Sequence, residues 1–379
     1  MRASSHSDAR LIVAASETDP NLLYATGFSA PDAFIFFQHR GRKYLVINDL
    51  ELDRARRQAK VDTVMALASV ESELKRRKHR VIDTAAVLRL IFQKRRIRSV
   101  LVPSNFPLGL GDRLRRLGLR VKPSSESFFP GREIKSPAEV SEIAKSQRAA
   151  EAGMEAAIGL IRESRIVRGW LYHGAARLTA ETVRERIATA VMRHGCQVSK
   201  TIVACGEQGC DPHEVGHGPL LAHRSIILDI FPRSQGSGYW GDITRTVVKG
   251  TASDSLNTLY ASVLAAHSLA LGQVREGTRG DAIHQAILKE FERRGFQTGV
   301  QNGRLQGFFH GTGHGVGLEI HELPRISPRG QLPLKTGHVV TVEPGLYYLG
   351  LGGVRLEDLV VVSRTGYRNL TRFPKYLEV

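Results

Sequence analysis

Cysteine is scarce in this sequence of 379 residues. Its three cysteines, Cys196, Cys205 and Cys210, lie within one short region and form no Cys-x-x-Cys pair. An odd number of cysteines without such a framework argues against a disulfide-stabilised secreted protein and fits a reducing compartment. We therefore expect unpaired thiols and a cytoplasmic location.

Long apolar runs are also missing. No run approaches the roughly 18 residues that suggest a membrane-spanning helix. In the opening stretch from Met1 to Pro20, only Leu11 to Ala15 is continuously apolar. This is shorter than the roughly 7–15 residues of a secretory signal core. The sequence therefore predicts neither a membrane span nor a secretory leader.

Acidic residues are sparse in the first part of the chain. The whole sequence has 54 Lys and Arg against 37 Asp and Glu, a net charge of +17. Residues 1–135 contribute 26 basic and 14 acidic side chains, or +12 of this total. No aromatic residues interleave with the basic clusters, as base-stacking platforms for nucleic acid would require. We interpret the basic residues as a solvated surface and do not expect nucleic-acid binding.

Length and composition predict two domains. A chain of this length exceeds one ordinary domain, and its first part alternates strand-like and helix-like segments. The segment Lys122–Pro137 is rich in proline and serine, which indicates a linker. We expect an α/β N-terminal domain over residues 1–130 and a second domain of mixed α/β (α+β) class over residues 137–379.

Apolar spacing and capping residues predict the main elements. Ser136, Pro137 and Glu139 form a capping-box sequence, and apolar periodicity continues that helix to about Arg162. Further helices are predicted over Glu51–Ala59, Val81–Phe92, Thr179–His194, Ser253–Val274 and Asp281–Arg294. Strands are predicted over Ala33–Phe37, Tyr44–Ile47, Ser99–Val102, Ser225–Ile230, Thr244–Val248, His338–Val342 and Val354–Val362.

Four carboxylates lie in or beside apolar strand-like segments: Asp229, Asp242, Glu343 and Glu357. A buried carboxylate is costly unless it is paired or binds a metal. A single case would be explained by a salt bridge, and Arg355 lies two residues from Glu357, on the same strand face. Four cases in one domain favour a shared cation instead. Hard divalent ions prefer oxygen ligands, with imidazole as an addition.

Three histidines lie among glycines in the segment Phe309–Glu322, at His310, His314 and His321. Glycine lets the backbone approach a ligand closely. Each histidine alone is better explained as a structural residue. Together with the carboxylates they predict a metal site.

Four motifs occur in order along residues 137–379. They are Gly238-Tyr-Trp-Gly-Asp242-Ile-Thr-Arg-Thr246, His310-Gly-Thr-Gly-His314-Gly-Val-Gly-Leu-Glu-Ile-His321-Glu, Thr341-Val-Glu343-Pro-Gly-Leu-Tyr347 and Gly353-Val-Arg355-Leu-Glu357-Asp358. This set resembles the aminopeptidase P and prolidase branch of the pita-bread metallopeptidases. Asn21–Phe28 resembles, more loosely, the creatinase-like N-terminal domain of that branch. The resemblance implies a C-terminal pita-bread fold, a creatinase-like N-terminal domain and a homodimer.

The resemblance also implies a metal-ligand set, namely Asp229, Asp242, His314, Glu343 and Glu357. Asp242 and Glu357 would bridge two divalent ions, Asp229 would serve one ion, and His314 with Glu343 the other. The carboxylate-rich set makes manganese our first choice, with cobalt or zinc as alternatives. Two ions about 3.5–4 Å apart can lower the pKa of a bridging water and polarise a scissile carbonyl.

The implied catalytic groups are His213, His310, His321, Glu343 and Arg355. The histidines would contact the substrate or the developing oxyanion, Glu343 would relay a proton, and Arg355 would support the carboxylates. The implied reaction removes the first residue from a short peptide or dipeptide whose second residue is proline.

One stretch differs from the family pattern. Asp229 and Asp242 are 13 positions apart, two more than the family pattern leads us to expect. Asp229 is also followed by Ile-Phe-Pro-Arg, where the family usually has a small residue or glycine two places on. Both differences fall in the hairpin beside the predicted metal site.

Two alternatives remain open. The segment His213–His217 spells H-E-x-x-H, the zincin signature, which requires a helix. Pro212, Gly216 and the following Gly-Pro favour a loop, because Gly and Pro cost about 1 and 3 kcal/mol in a helix interior. His217 is therefore only a secondary candidate. The second alternative is a catalytically altered pita-bread protein that acts on a non-Xaa-Pro substrate or serves as a binding module. The intact ligand set argues against the binding module, while the choice of substrate stays open.

Overall fold

A computed structural model of the chain describes residues 8–301 and 303–379. The chain forms two compact units, Met1–Pro130 and Gly131–Val379. Their division falls within the segment Lys122–Pro137. Of the opening stretch that was considered for a secretory leader, residues 1–7 lie outside the described residues, and Ala9–Ala14 form a strand.

The N-terminal unit is built on one mixed six-stranded sheet. Its strands are β1 (Ala9–Ala14), β2 (Phe34–His39), β3 (Arg42–Ile47), β4 (Thr63–Ala66), β5 (Ser99–Val102) and β6 (Arg120–Pro123). Its helices are α1 (Pro20–Thr26), α2 (Asp49–Gln58), α3 (Leu67–Arg76), α4 (Thr84–Lys94) and α5 (Leu108–Arg116). The strand order is β4-β3-β2-β1-β5-β6. The β3–β4, β1–β5 and β5–β6 pairs are parallel.

Both faces of this sheet are buried. Successive residues of a strand point to opposite faces, and Leu11 and Phe37 join one core cluster while Ile12 and Phe36 join another. Helix α4 contributes to the first cluster, and helices α1 and α2 contribute to the second. Two covered faces explain the continuous apolar runs in β1 and β2.

The C-terminal unit combines long helices with small antiparallel sheets. Its helices are α6 (Pro137–Glu163), α7 (Ala180–Met192), α8 (Asp254–Gln273) and α9 (Gly280–Arg293). Its strands are β7 (Arg165–Val167), β8 (Trp170–His173), β9 (Ala176–Arg177), β10 (Cys196–Gln197), β11 (Ile202–Cys205), β12 (Ile226–Ile230), β13 (Arg233–Ser234), β14 (Ile243–Val247), β15 (Gly299–Gln301), β16 (Arg304–Gln306), β17 (Gly313–Gly315), β18 (Glu322–Ile326), β19 (Val339–Val342), β20 (Gly345–Tyr348), β21 (Gly352–Arg355), β22 (Asp358–Val362) and β23 (Tyr367–Asn369).

Three of these sheets position the acidic residues. Their strand orders are β11-β12-β14, β18-β17-β19-β22-β23 and β20-β21. Helices α6 and α7 share a core with the first sheet, and α8 and α9 share another with residues of β19 to β22. In the part of the chain that the structure describes, no helix has both the length and the apolar character needed to cross a membrane.

The capping signals are confirmed at both kinds of helix end. At the start of α6, the Ser136 hydroxyl accepts from the Glu139 amide at 3.3 Å, and the Glu139 carboxylate accepts from the Ser136 amide at 2.8 Å. Helix α9 is followed by Gly295 with φ +86°, the left-handed conformation that glycine adopts beyond a helix end. The other predicted helices, α2, α4, α7 and α8, agree to within about three residues.

The prediction of one strand over Val354–Val362 is wrong. The structure has two strands, β21 and β22, which are separated at Leu356 and Glu357. Strand β21 pairs with β20, whereas β22 pairs with β19 and β23. An apolar run records burial and not the pairing partner, so the sequence could not show that the partner changes at this point.

Candidate metal centre

The predicted ligands come from strands and strand ends. Asp229 lies in β12 and His314 in β17, while Asp242 directly precedes β14. Glu343 directly follows β19, and Glu357 lies in the break between β21 and β22. Antiparallel pairing of β12 with β14, and of β19 with both β17 and β22, brings these positions together although they are far apart in sequence.

Asp242, His314 and Glu357 form a buried cluster. They offer one ligand atom each within 4.8 Å of one another, and their exposed fractions are 4%, 7% and 2%. The Nδ1 of His314 lies 3.2 Å from the carbonyl of Gly315. Because a carbonyl only accepts, Nδ1 carries the proton and Nε2 keeps its lone pair, 3.8 Å from Asp242 Oδ2. This is the tautomer that a metal-binding histidine uses.

The two other predicted ligands flank this cluster. Glu343 Oε1 lies 3.3 Å from His314 Nε2 and accepts from the Thr341 hydroxyl at 3.3 Å. Asp229 Oδ2 accepts from Arg355 Nη2 at 2.7 Å. The structure therefore brings all five predicted ligand positions into one region.

The electrostatics of these carboxylates suit a divalent cation. Burial, followed by the charges of Glu357, Asp229 and Glu343, raises the pKa of Asp242 well above its usual value. Burial and Glu343 act in the same direction on the pKa of Glu357, and burial raises the pKa of Glu343 to about 7. Raised values mean that the protein alone stabilises these anions poorly. Oxygen ligands with uncompensated charge are the donors that a hard divalent ion prefers.

Uncharged side chains that sequence reasoning missed hold the ligands in place. The Thr244 hydroxyl donates to Glu357 Oε2 at 2.9 Å. The side-chain amide of Gln147 contacts both the N–H and the carbonyl of Asp242, each at 2.8 Å. Thr244 lies two positions from Asp242 on the same strand face, a signal that could have been used. Gln147, on helix α6, has no comparable signal.

The glycine at position 313 serves strand packing. A Cβ there would lie 2.0 Å from the carbonyl oxygen of Thr341, which no side chain can tolerate. The glycine-rich sequence was expected to let the backbone approach a ligand. Here the close approach is to Thr341, at the neighbouring strand β19.

His310 belongs to a chain of hydrogen bonds. Arg355 Nη1 donates to the Tyr347 hydroxyl at 2.9 Å, which lies 2.8 Å from His310 Nε2. His310 Nδ1 lies 2.8 Å from the Gly311 carbonyl and therefore carries a proton, so Nε2 accepts from Tyr347. Burial, together with Arg355, lowers the pKa of His310 to about 3. The ring is neutral, and both its nitrogens are engaged within the protein.

His321 and His213 lie near the same cluster. The rings of His321 and His314 are 4.4 Å apart between centroids, at 89°. Desolvation by neighbouring groups, and then the charge of Arg325, lower the pKa of His321. His213 is close enough to His310 and His321 to lower the pKa of both.

His217, the secondary candidate, lies in a segment without a helix. Residues 213–217 follow a 3-10 turn at Gly206–Cys210 and run as a loop. The His217 side chain is 74% exposed, and its Nδ1 is 3.8 Å from Glu214 Oε1. The helix that the zincin alternative requires is absent from these described residues.

The connection between Asp229 and Asp242 contains a short strand of its own, β13 (Arg233–Ser234). Strand β13 pairs with β10 and not with the β12–β14 sheet. At its end, the Trp240 indole donates to the carbonyl of Leu318 at 3.2 Å, and the Trp240 amide donates to that of Gly317 at 2.9 Å. The connection therefore contacts the loop between His314 and His321.

Comparison with known proteins identifies the family. The sequence pattern of metallopeptidase family M24 matches residues 141–364, which is more than half of the chain. The chain belongs to metallopeptidase family M24. This confirms the family expected from the motifs, a family of hydrolases that use divalent metals.

Relatives and solved structures support this membership. The M24 chain is 36% identical over 180 residues to an Xaa-Pro dipeptidase of Pyrococcus furiosus, covering 47% of this chain and 48% of that protein. It therefore spans about half the length of that relative. It is 29% identical over 289 residues to an Xaa-Pro dipeptidase of Pyrococcus horikoshii, covering 74% and 75%. The crystal structure of an X-Pro aminopeptidase from Thermotoga maritima superposes with a TM-score of 0.81 at 23% identity, over 98% and 97% of the two chains. That likeness confirms the two-domain α/β architecture with a pita-bread fold.

Proposed function

We propose that this M24 protein is a dinuclear-metal peptidase that removes the N-terminal residue from peptides or dipeptides with proline in second place. The observation that carries the proposal is the buried cluster of Asp242, His314 and Glu357 with Asp229 and Glu343 beside it. The names of the Xaa-Pro dipeptidase relatives support the substrate class.

The five clustered side chains fit two divalent ions. Asp242 and Glu357 would bridge them, Asp229 would bind one, and His314 with Glu343 the other. Four carboxylates against one imidazole favour manganese, with cobalt or zinc as alternatives. When bound, such ions supply an activated water and polarise the scissile carbonyl.

The chain's own residues have separate tasks in this proposal. We assign the proton relay to Glu343, a carboxylate of the cluster whose Oε1 lies 3.3 Å from His314 Nε2. We assign stabilisation of the developing oxyanion to His321, because both ring nitrogens of His310 are engaged with Gly311 and Tyr347. His310 then contacts the substrate only through the face of its ring. His213 also contacts the substrate.

The test joins metal content to turnover. The protein is stripped with a chelator and reloaded with manganese, cobalt or zinc, and hydrolysis of Xaa-Pro dipeptides, longer Xaa-Pro peptides and Xaa-Ala controls is measured. We expect about two ions per chain and metal-dependent release of the first residue from Xaa-Pro substrates. The ratio of dipeptide to longer-peptide rates distinguishes a dipeptidase from an aminopeptidase.

A second candidate function is hydrolysis of a substrate other than an Xaa-Pro peptide. The observation in its favour is the β13 connection, which contacts the loop before His321 through Trp240. Bound metal without Xaa-Pro turnover would support this candidate. Absence of metal binding would instead favour a binding module that uses the basic N-terminal unit.

We also propose a homodimer in the cytoplasm. The dimer follows from the family resemblance, and light scattering of the purified protein tests it. Each of the three cysteines is unpaired and buried, which suits a reducing compartment.

A further inference from the structure

A buried group of charged side chains lies outside the metal centre. Arg132 Nη2 donates to Glu322 Oε2 at 2.8 Å, and Lys135 Nζ donates to Glu322 Oε1. The side chains of Lys135, Glu322 and Arg132 are only 1%, 9% and 10% exposed. Each oxygen of the carboxylate therefore has its own cation. We call these three residues the Glu322 clamp.

The clamp is expensive to bury and has no part in the proposed chemistry. Burial lowers the pKa of Lys135, and the Glu322 charge only partly opposes this. Replacing a buried ion pair by apolar side chains often leaves stability unchanged or raises it. A gain in stability therefore does not explain why the clamp is charged. A buried pair can instead fix one local arrangement among several.

The clamp sits at the base of the loop that carries His321. Glu322 follows His321 directly and begins β18, where it pairs with Gly315 of β17. Inside this loop, a Cβ on Gly317 would lie 2.3 Å from Glu322 Oε1. The Glu322 carboxylate thus occupies the space beside Gly317, where no side chain would fit. Strand β17, which leads into this loop, carries His314, and the ring of His314 meets that of His321 edge to face.

We propose that Arg132 and Lys135 are positioning residues for His321. By holding the Glu322 carboxylate from both sides, they fix the loop of residues 316–321 so that the His321 ring keeps its place beside His314. The inference rests on the proposed function, in which His321 contacts the reacting substrate. It adds that activity requires Arg132 and Lys135, two residues of the segment that precedes helix α6.

The decisive variant is Glu322→Gln, which keeps the shape of the side chain and removes its charge. We expect kcat to fall roughly 10- to 100-fold, because small misplacement of a reacting group has effects of this size. KM should change less than about threefold, and the metal content should be unchanged. The clamp acts through His321, so the loss of kcat in Glu322→Gln should not exceed the loss of kcat in His321→Ala.

The matched control is Glu319→Gln. Glu319 accepts from the same Arg132 Nη2 at 2.7 Å, but its side chain is 48% exposed. Exposed pairs contribute little, so kcat should stay within about twofold of the original. A Lys135→Met protein should lose activity as Glu322→Gln does, and Lys135→Arg should restore most of it. A full-rate Glu322→Gln enzyme, or loss of metal together with activity, would overturn the inference.

A second readout does not depend on turnover. Hydrogen exchange of residues 313–326 in the metal-loaded protein should accelerate in Glu322→Gln and not in Glu319→Gln. Exchange at the same rate in both variants would overturn the clamp. If the unaltered protein cleaves no peptide, the proposed function fails, while the exchange rates still decide whether the clamp holds the loop. If Glu322→Gln does not fold, Lys135→Met takes its place in this measurement, because it removes one of the two cations that hold Glu322; Lys135→Arg should then exchange at the original rate.

Discussion

Glu357 and Asp358 are neighbours in sequence and equally buried, at 2% and 0% exposure, yet their surroundings have opposite charge. Glu357 faces other carboxylates, and burial together with Glu343 raises its pKa. Asp358 accepts from Arg245 Nη2 at 2.9 Å and from Lys375 Nζ at 2.6 Å. Although burial opposes ionisation, these cations hold the pKa of Asp358 below its usual value.

The Asp358 side is a structural hub made by Arg245. This guanidinium also donates to the backbone carbonyls of Thr244 and Glu357, at 2.9 and 2.6 Å, and of Phe373 at 2.7 Å. It joins three chain segments behind the metal centre. The fold therefore supplies cations to Asp358, the buried carboxylate with a structural role. On the other side, Asp242, Glu343 and Glu357 have raised pKa values, which means that their negative charge is poorly compensated and suits them to bind metal.

The largest effect is expected on the metal side. Glu357→Gln should lower kcat at least roughly a thousandfold, because the two proposed ions would supply several kcal/mol of transition-state stabilisation. Metal content should fall from two ions per chain, and Asp242→Ala should behave alike. Without metal, the variant should be at least as resistant to denaturant as the original protein, because Glu357→Gln reduces the repulsion among the carboxylates. Two retained ions would contradict the bridging role.

The next effect is expected on the structural side. Asp358→Asn leaves Arg245 buried without its anion, and loss of one partner of a buried pair costs about 3–5 kcal/mol. The free energy of unfolding in urea, measured on metal-free protein, should fall by that amount. A loss under about 1 kcal/mol would mean that the two sides do not differ as described.

A pH dependence sharpens the contrast through His267, which is 1% exposed and lies 3.8 Å from Asp358 Oδ2. Burial lowers the pKa of His267 to about 4, with Asp358 opposing and Lys375 and Arg245 assisting. The folded state therefore favours the neutral ring. The resulting stability is present above the unfolded pKa near 6.5 and is lost as pH falls toward 4, by up to roughly 3 kcal/mol.

The measurement compares urea unfolding at pH 7 and pH 4.5 for the original protein and His267→Gln. The variant should lose less stability between the two values, because the glutamine does not titrate while Asp358 is common to both proteins. Equal losses would show that His267 does not contribute.

The smallest effect is expected at Glu214, in the H-E-x-x-H loop. Glu214→Gln should leave both kcat and metal content within about twofold of the original, because exposed loop substitutions have small effects. Abolished hydrolysis with metal retained would revive the zincin alternative and transfer the catalytic role to this loop.

Local signals in the sequence predicted six of the nine α-helices that the structure describes, whereas the shorter helices α1, α3 and α5 and short strands such as β4 and β6 were not predicted. Ser136 and Glu139 specify the start of α6 because the cap depends on residues three apart, and Gly295 marks the end of α9 for a similar reason. Strand pairing depends on distant residues, so the break at Glu357 was not predicted.

The candidate site divides in the same way. The positions of Asp229, Asp242 and Glu343 were predicted because carboxylates interrupt apolar strands. The residues that hold Asp242 and Glu322 in place were not predicted, because Gln147 and Lys135 look like ordinary helix or linker residues until the fold brings them to these carboxylates.

The cap and the clamp together limit where the C-terminal half can be separated from the rest. A fragment that begins at Pro137, the start expected for the second domain, would discard the Ser136 cap of α6 and leave Glu322 buried without Arg132 or Lys135. A fragment that begins at Gly131 would keep all three. In a truncation, a fusion or an exchange of the N-terminal unit, residues 131–136 therefore decide the outcome. With them, the C-terminal fragment keeps the residues that hold the His321 loop; without them, it loses these residues.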